Sequence, residues 1–324
     1  VNLPRVIADV DTGIDDALAL VWLGCLHERG RIQLSVTASA GNCSVEDAAR
    51  NSNAVLRLTG ANVRAIPGLD GPRELPLTTT PETHGPRGLG YWQGHRVEDE
   101  PDSGQSLLDA WRRAQPTHIL IAGPATNLAY VLDHDPELLQ GTEVTLMTGA
   151  FNYPGNTTPT AEWNAWVDPH ALKHVLSIWP ASAPRLSICP LNVTETVLLT
   201  PDRLERMLQN VPAGHEGLID LLSEATRFYF EFHQSVGAGY QAQIHDLAAA
   251  QVLLAEALDL PIGHQFRSAT VDAEAQSELT RGTTVADWDG GYWHREPNAQ
   301  ILRQIDAEAV INNLEAELRE GCME

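Results

Sequence analysis

The sequence is poor in positive charge, and in lysine above all. Against 43 aspartates and glutamates stand 21 lysines and arginines, a formal net charge of -22, and Lys173 is the single lysine among 324 residues. A field of that sign repels phosphate backbones and anionic lipid headgroups, so neither nucleic acid nor a membrane surface is expected as a partner. Long hydrophobic runs are missing as well. The longest near the start, Ala17 to Leu26, reaches about half of a membrane span. It follows four aspartates rather than a basic stretch and lacks a small-residue cleavage site, so a cytoplasmic protein is expected. Cysteine is scarce: Cys25, Cys43, Cys189 and Cys322 show no CxxC spacing. Neither a zinc knuckle nor a disulfide framework is expected, and the thiols read as reduced. Cys43 and Cys189 end apolar strand-like runs and read as buried small hydrophobes. Internal repeats and low-complexity tracts are also absent.

What is present is ordinary for a globular chain: 43% hydrophobic and 20% charged residues. Short apolar runs of strand character recur at residues 4–10, 32–40, 62–68, 117–123, 143–149, 185–191, 265–273 and 299–306. Helical patterns with apolar residues three and four apart fall at 17–29, 45–58, 104–114, 171–177, 201–209, 217–233, 247–257 and 306–318. Strand and helix alternate, which predicts an α/β fold: a Rossmann-like, mostly parallel sheet with helices on both faces. No composition break divides the chain, so residues 1–324 are expected to form a single domain. The glycine- and proline-rich stretches 67–93 and 152–160 read as long functional loops.

Ligands of such sheets bind at the carboxyl ends of the strands. After the first strand come Asp9, Asp11, Asp15 and Asp16, four carboxylates within eight residues. They repel one another unless a cation neutralises them or some keep a proton. Helix N-capping explains one or two of them, not four. A set of oxygens without cysteine or histidine favours Ca²⁺ or Mg²⁺ over zinc. An EF-hand loop does not fit, because its fifth and sixth positions are Gly13 and Ile14 and its twelfth is Leu20. A phosphatase of the haloacid dehalogenase type begins with a similar DxDx[T/V] run. Gly13 breaks that run, and Lys173 is the one lysine available for a phosphoryl group.

Seven motifs follow in order: DVDTGIDD at 9–16, Gly41-Asn42, HGxxGLG at 84–90, GPxTN at 123–127, GNxTPxAExN at 155–164, IHD at 244–246 and TRGxTV at 280–285. Together they resemble the inosine-uridine-preferring nucleoside hydrolases. The resemblance implies a Ca²⁺-dependent ribonucleoside hydrolase that assembles as a homodimer or homotetramer. Asp11, Asp16, Asp246 and the Thr126 carbonyl would bind calcium, which would also contact the ribose hydroxyls and the attacking water. Asp11 would take that water's proton, with inversion at the anomeric carbon. Asp15, Asn42 and Asn164 would serve the 2′ and 3′ hydroxyls, and Asn156 and Glu162 the 5′-hydroxyl. A site of this kind rejects a 2′-deoxy sugar, which would leave buried polar groups unpaired.

His245 would protonate the departing base, and its presence points to the broad or pyrimidine-leaning subgroup. Tyr229 and His233, four apart on one helix face, and His84 in the first long loop are the candidate base contacts. Arg87 stands where the family usually has an acid. A Mg²⁺ phosphatase and a non-catalytic nucleoside-binding protein are the competing classes. A binder would need neither Asp11 nor His245. Six carboxylates, Asp9, Asp11, Asp15, Asp16, Glu162 and Asp246, are expected at the one site, and the remaining acidic excess reads as solvated surface. That surface tolerates a neutral nucleoside better than a nucleotide.

Overall fold

Val6, Ala8 and Val10 of the first strand belong to one buried apolar cluster and Ile7 to another. A strand apolar on both faces belongs in the interior of a parallel sheet covered by helices on each side. The computed structural model, which describes residues 3–101 and 104–322, places it there. The strands are β1 (Arg5–Val10), β2 (Gln33–Ala38), β3 (Ala65–Pro67), β4 (His118–Ile121), β5 (Glu143–Met147) and β6 (Leu186–Cys189). They continue with β7 (Leu198–Leu199), β8 (Ala242–Gln243), β9 (Gln265–Ala273), β10 (Thr284–Asp287) and β11 (Ala299–Gln304). Nine of them form one sheet in the order β10-β9-β11-β6-β5-β4-β1-β2-β3, while β7 and β8 make a separate antiparallel pair. From β11 to β3 every pairing is parallel; β9 and β10 extend the sheet by antiparallel pairing. The expected mostly parallel α/β sheet is therefore found. The edge strand β10 was not foreseen, because its TVAD sequence has no continuous apolar run.

The helices are α1 (Ile14–Glu28), α2 (Val45–Thr59), α3 (Pro81–His84), α4 (Leu107–Ala114), α5 (Thr126–His134) and α6 (Trp163–Val167). After these come α7 (Pro169–Ile178), α8 (Leu191–Thr194), α9 (Pro201–Gln209), α10 (Glu216–Ser235), α11 (His245–Leu254) and α12 (Ala307–Glu320). Two differ from the amphipathic expectation. In α1 every residue from Ile14 to Leu26 is buried, and so is every residue of α11. Helices apolar on all sides lie inside a large core rather than on its surface. Among the described residues, no helix is long and apolar enough to cross a membrane.

The cysteines need one correction. Cys43 and Cys189 are free and buried, as expected, but Cys25 of α1 and Cys322 after α12 form a disulfide across a sequence separation of 297. Spacing rules look for neighbouring cysteines, whereas here the tertiary fold brings together residues from opposite ends of the chain. Around the bond, Arg29 reaches Glu317 and Glu320 and donates to the carbonyls of Glu317 and Gly321, and Arg31 pairs with Glu317.

Candidate active site

The strand order reverses beside β1: β2 and β3 run to one side of it, β4, β5 and β6 to the other. A crevice opens at the carboxyl ends of the strands at such a point. Asp11 stands there, fully buried just past β1. The Asn42 backbone N–H donates to its Oδ2 at 2.7 Å, and the Asn42 amide to its Oδ1 at 3.2 Å. Gly41 must be glycine, since a Cβ at that position would lie 2.1 Å from the Asp11 carboxylate. Gly123, before α5, packs against the same carboxyl group.

Asp15 and Asp16 occupy the first turn of α1, and Asp246 occupies the first turn of α11. These two buried helices meet with their N-termini at the crevice, where the partial positive charge of a helix start favours carboxylates. Each of the three residues offers an oxygen within 4.8 Å of the others. Burial and mutual repulsion drive their proton affinities up: Asp15 is pushed to about 7, and Asp11 and Asp246 stand well above the usual carboxylate range. Asp16 accepts from the Gly13 N–H and the Asn42 amide through Oδ2, while its buried Oδ1 has no partner. An all-oxygen cluster with an orphaned buried carboxylate oxygen fits a hard cation.

Asp9 does not join this cluster. It lies on β1 two residues from Ile7 and so faces the other layer, where Thr37 Oγ1 donates to its Oδ1 at 2.5 Å and the Asn127 amide at 2.8 Å. Nor does Lys173 approach it. Its ammonium pairs with Asp272 at 2.7 Å and bonds the Ala273 carbonyl on β9, so the phosphatase alternative loses its lysine.

Asp15, Asn42, His84, Asn156, Glu162, Asn164, Tyr229, His233, His245 and Asp246 all line one cavity of about 590 Å³, a volume suited to a small polar ligand. Asp11, Asp16 and Thr126 are not among its lining residues. Thr126 begins α5, and its hydroxyl donates to Asp168 Oδ2 at 2.6 Å. Asn164 gives its amide hydrogens to the Ala122 and Met147 carbonyls at 2.5 and 2.9 Å, which leaves Oδ1 as an acceptor for a ligand. Asn156 is the reverse: its Oδ1 accepts the Trp163 N–H at 3.0 Å, which leaves the amide hydrogens to give. Glu162 has a structural role the motif did not suggest. It caps α6, accepting from the N–H groups of Asn164, Ala165 and Gly149 and from Thr148 Oγ1. Three of these donors crowd Oε2 and one meets Oε1, which keeps an acceptor site for a ligand.

Hydrogen-bond partners separate the histidines. The Ile14 backbone N–H donates to His84 Nδ1 at 3.0 Å, and since an N–H cannot accept, the neutral ring carries its proton on Nε2. His233 is opposite, because its Nδ1 lies 2.8 Å from the Tyr229 carbonyl, which can only accept. His245 Nδ1 meets the Thr194 hydroxyl at 2.9 Å, a group able to donate or accept, so this ring can carry a proton on either nitrogen or on both. Burial, with His233 nearby, lowers His245 to about 3, and burial likewise lowers His84 to about 3. The rings of His84 and His233 lie 5.4 and 4.4 Å from that of Tyr229. Tyr229 is thus both a core aromatic and a wall of the cavity.

Arg87 lies outside the cavity, paired with Asp47 at 3.2 Å, while the Asn51 amide holds its carbonyl at 2.7 Å. It docks the His84 loop onto α2. The sequence reading passed over several other residues of the site. Trp163 sat unremarked inside the AExN motif, and Gln243 lies two residues before His245. Glu195 and Thr194 lie on a segment with no motif signal, and only the fold brings them to the cavity or to His245.

A family profile described as inosine-uridine preferring nucleoside hydrolase matches residues 6–312. The non-specific ribonucleoside hydrolase RihC of Salmonella agona is 30% identical over 308 residues, covering 94% of this chain and 94% of the relative. Among solved structures, a plant nucleoside hydrolase superposes with a TM-score of 0.81 at 23% identity, over 97% of this chain and 98% of that one. The purine-preferring ribonucleoside hydrolase from Gardnerella vaginalis does so at 0.81 and 22%, with the same coverage.

Proposed function

The chain belongs to the inosine-uridine preferring nucleoside hydrolase family, and from that premise we propose that it cleaves the N-glycosidic bond of ribonucleosides to ribose and free base. It is a hydrolase of N-glycosyl compounds. The observation that carries the reading is the gathering at one cavity of the histidines His84 and His245 with Asp15 and Asp246, two members of the buried Asp15–Asp16–Asp246 cluster.

Such a cleavage develops positive charge on the sugar and negative charge on the base. Buried carboxylates favour the first, and a ring able to gain a proton favours the second. The cation is proposed to be calcium, held by Asp11, Asp16, Asp246 and the Thr126 carbonyl; when bound, it supplies a polarised water and a hold on the sugar hydroxyls. Asp11, kept in place by Asn42 and Gly41, takes the proton of the attacking water. Direct attack gives inversion. Asp15, Asn42 and Asn164 orient the 2′ and 3′ hydroxyls. Asn156, through its amide hydrogens, and Glu162, through the remaining acceptor site of Oε1, bind the 5′-hydroxyl.

His245 hydrogen-bonds the departing base and gives it a proton. Burial keeps the resting ring neutral; in the substrate complex the negative charge that grows on the base raises the ring's proton affinity, so it takes up a proton from solvent, passes it to the base and returns to the neutral form. His84, with its proton on Nε2, donates to the base, and Tyr229 and His233 wall the same pocket. A broad base specificity agrees with the name of the RihC relative.

The whole chain is read as a single nucleoside hydrolase domain, acting in the cytoplasm, where burial shields the Cys25–Cys322 bond from reductants. A homodimer or homotetramer is supported by apolar side chains at and near the β10 edge: Leu279, Val285 and Tyr292 are 85%, 48% and 88% exposed. The test is a panel of purine and pyrimidine ribonucleosides and their 5′-phosphates, incubated with and without chelator and assayed for free base and ribose. Chelator-sensitive release of base is expected from the nucleosides. Release of inorganic phosphate alone, or of nothing, would refute the reading.

A further inference from the structure

The segment Thr280–Val285 matches the last of the seven motifs, yet none of its side chains lines the cavity and no step of the proposed hydrolysis uses it. Its end, Thr284 and Val285, pairs with β9, while Arg281, Gly282 and Thr283 also reach α6 and the loop before it. The Arg281 guanidinium lies 4.0 Å from the Trp166 ring centroid, donates through Nε to the Trp166 carbonyl at 2.8 Å and through Nη2 to the Val167 carbonyl at 3.3 Å. These carbonyls end a five-residue helix, and the last carbonyls of a helix have no intrahelical partner. Gly282, at φ +78°, lays its backbone on the same turn; a Cβ there would fall 2.5 Å from Trp166 Cα. Thr283 bridges Ala161 at the other end of α6, and its hydroxyl lies 2.6 Å from that of Thr160.

What this grip holds still is part of the sugar pocket. Trp166 stacks on Trp163 with ring centroids 5.7 Å apart and planes 24° from parallel. Trp163 lines the cavity, and its backbone N–H donates to Asn156 Oδ1. We infer that Arg281 is a positioning residue for the 5′ end of the sugar: by capping and stacking on α6 it fixes Trp163, and through the Trp163 N–H it fixes the Asn156 amide that meets the 5′-hydroxyl. The inference rests on the proposed role of Asn156. Lysine cannot replace the arginine here, because a point charge can neither span two carbonyls as a planar fork nor stack in the same way.

The test compares inosine or uridine with its 5′-deoxy analogue in the parent enzyme, in Arg281→Lys and in Thr283→Val. In Arg281→Lys, KM for the ribonucleoside rises about tenfold with kcat within about threefold, and KM for the 5′-deoxy substrate changes by less than about twofold. The preference for a 5′-hydroxyl therefore shrinks about fivefold. Thr283→Val, which removes only the hydroxyl contact to Thr160, moves that preference the same way by a smaller factor, and it decides the matter if the lysine variant does not fold. Equal losses on both substrates, or a lower melting temperature with an unchanged preference, would overturn the inference while leaving Asn156 its role. A parent enzyme with no preference for the 5′-hydroxyl would remove the role of Asn156, and the inference with it.

Discussion

Helix α1 has two ends built on opposite principles. At its N-terminus Asp15 and Asp16 face Asp246 with no basic group among their partners, and Asp16 keeps an oxygen without a partner at all. At its C-terminus Cys25 is bonded to Cys322, and Arg29 and Arg31 are matched by Glu317, Glu320 and backbone carbonyls. One end carries buried like charges that oppose folding; the other gathers covalent and ionic contacts that favour it. Strain at a functional site persists only when the surrounding structure over-determines it. Here the compensation sits on the same helix, four turns away from the chemistry.

That contrast can be broken at either end. The largest effect is expected from Asp11→Ala, which should lower kcat by about 10⁴ or more while leaving the fold intact. Near-normal turnover in this variant would sink the proposed base. His245→Ala, at the start of α11, should cost about 10² to 10⁴ in kcat/KM on natural nucleosides. It should cost far less on p-nitrophenyl riboside, whose leaving group needs no proton, and equal losses on both would remove His245 as the acid. At the opposite end, Cys322→Ser should leave kcat/KM within about twofold but lower the unfolding free energy by as much as roughly 6 kcal/mol, the chain-entropy limit for so long a loop. Denaturant unfolding of the two proteins measures that difference.

The smallest effect sharpens the comparison through pH. Burial raises Asp9 and Asp15 from 3.8 to about 7 in the folded chain. Asp9, Asp15 and the still more strongly raised Asp11 and Asp246 hold protons that the unfolded chain gives up above pH 4. These outweigh the opposite contribution of His84 and His245, lowered to about 3, so stability declines as pH rises from 4 towards 7. Melting temperatures in chelator should fall across that window, and calcium should flatten the slope by replacing protons at the cluster. A metal-free protein whose melting temperature rises from pH 5 to 7 would show that the carboxylates are neutralised in some other way.

The sheet was largely legible because its strands are buried on both sides and so read as continuous apolar runs. Strand β10 and helix α5 were not. The first is a half-exposed edge, and the second, TNLAYVLDH, is short and opens on residues that read as a motif. The acidic cluster was legible as chemistry but not as geometry. Asp9 and Asp11 look equivalent in sequence, yet β1 ends at Val10, so Asp9 stays on the strand's other face while the chain turns Asp11 into the crevice. Glu162 shows another limit. A carboxylate before a short helix can serve a ligand or the helix's own N–H groups, and only the bond pattern reveals that Glu162 also caps α6. The partnership of Arg281 with α6 is invisible for a different reason: its acceptors are backbone carbonyls, which carry no residue signature.

The bond between Cys25 and Cys322 also changes the topology of the molecule. It closes the chain from residue 25 to residue 322 into one covalent ring, with 297 positions separating the joined residues, and leaves β1 and most of α1 outside it. A single proteolytic cut in an outer loop, such as 152–160, opens that ring without releasing a fragment, and the nicked protein separates into two pieces only after reduction.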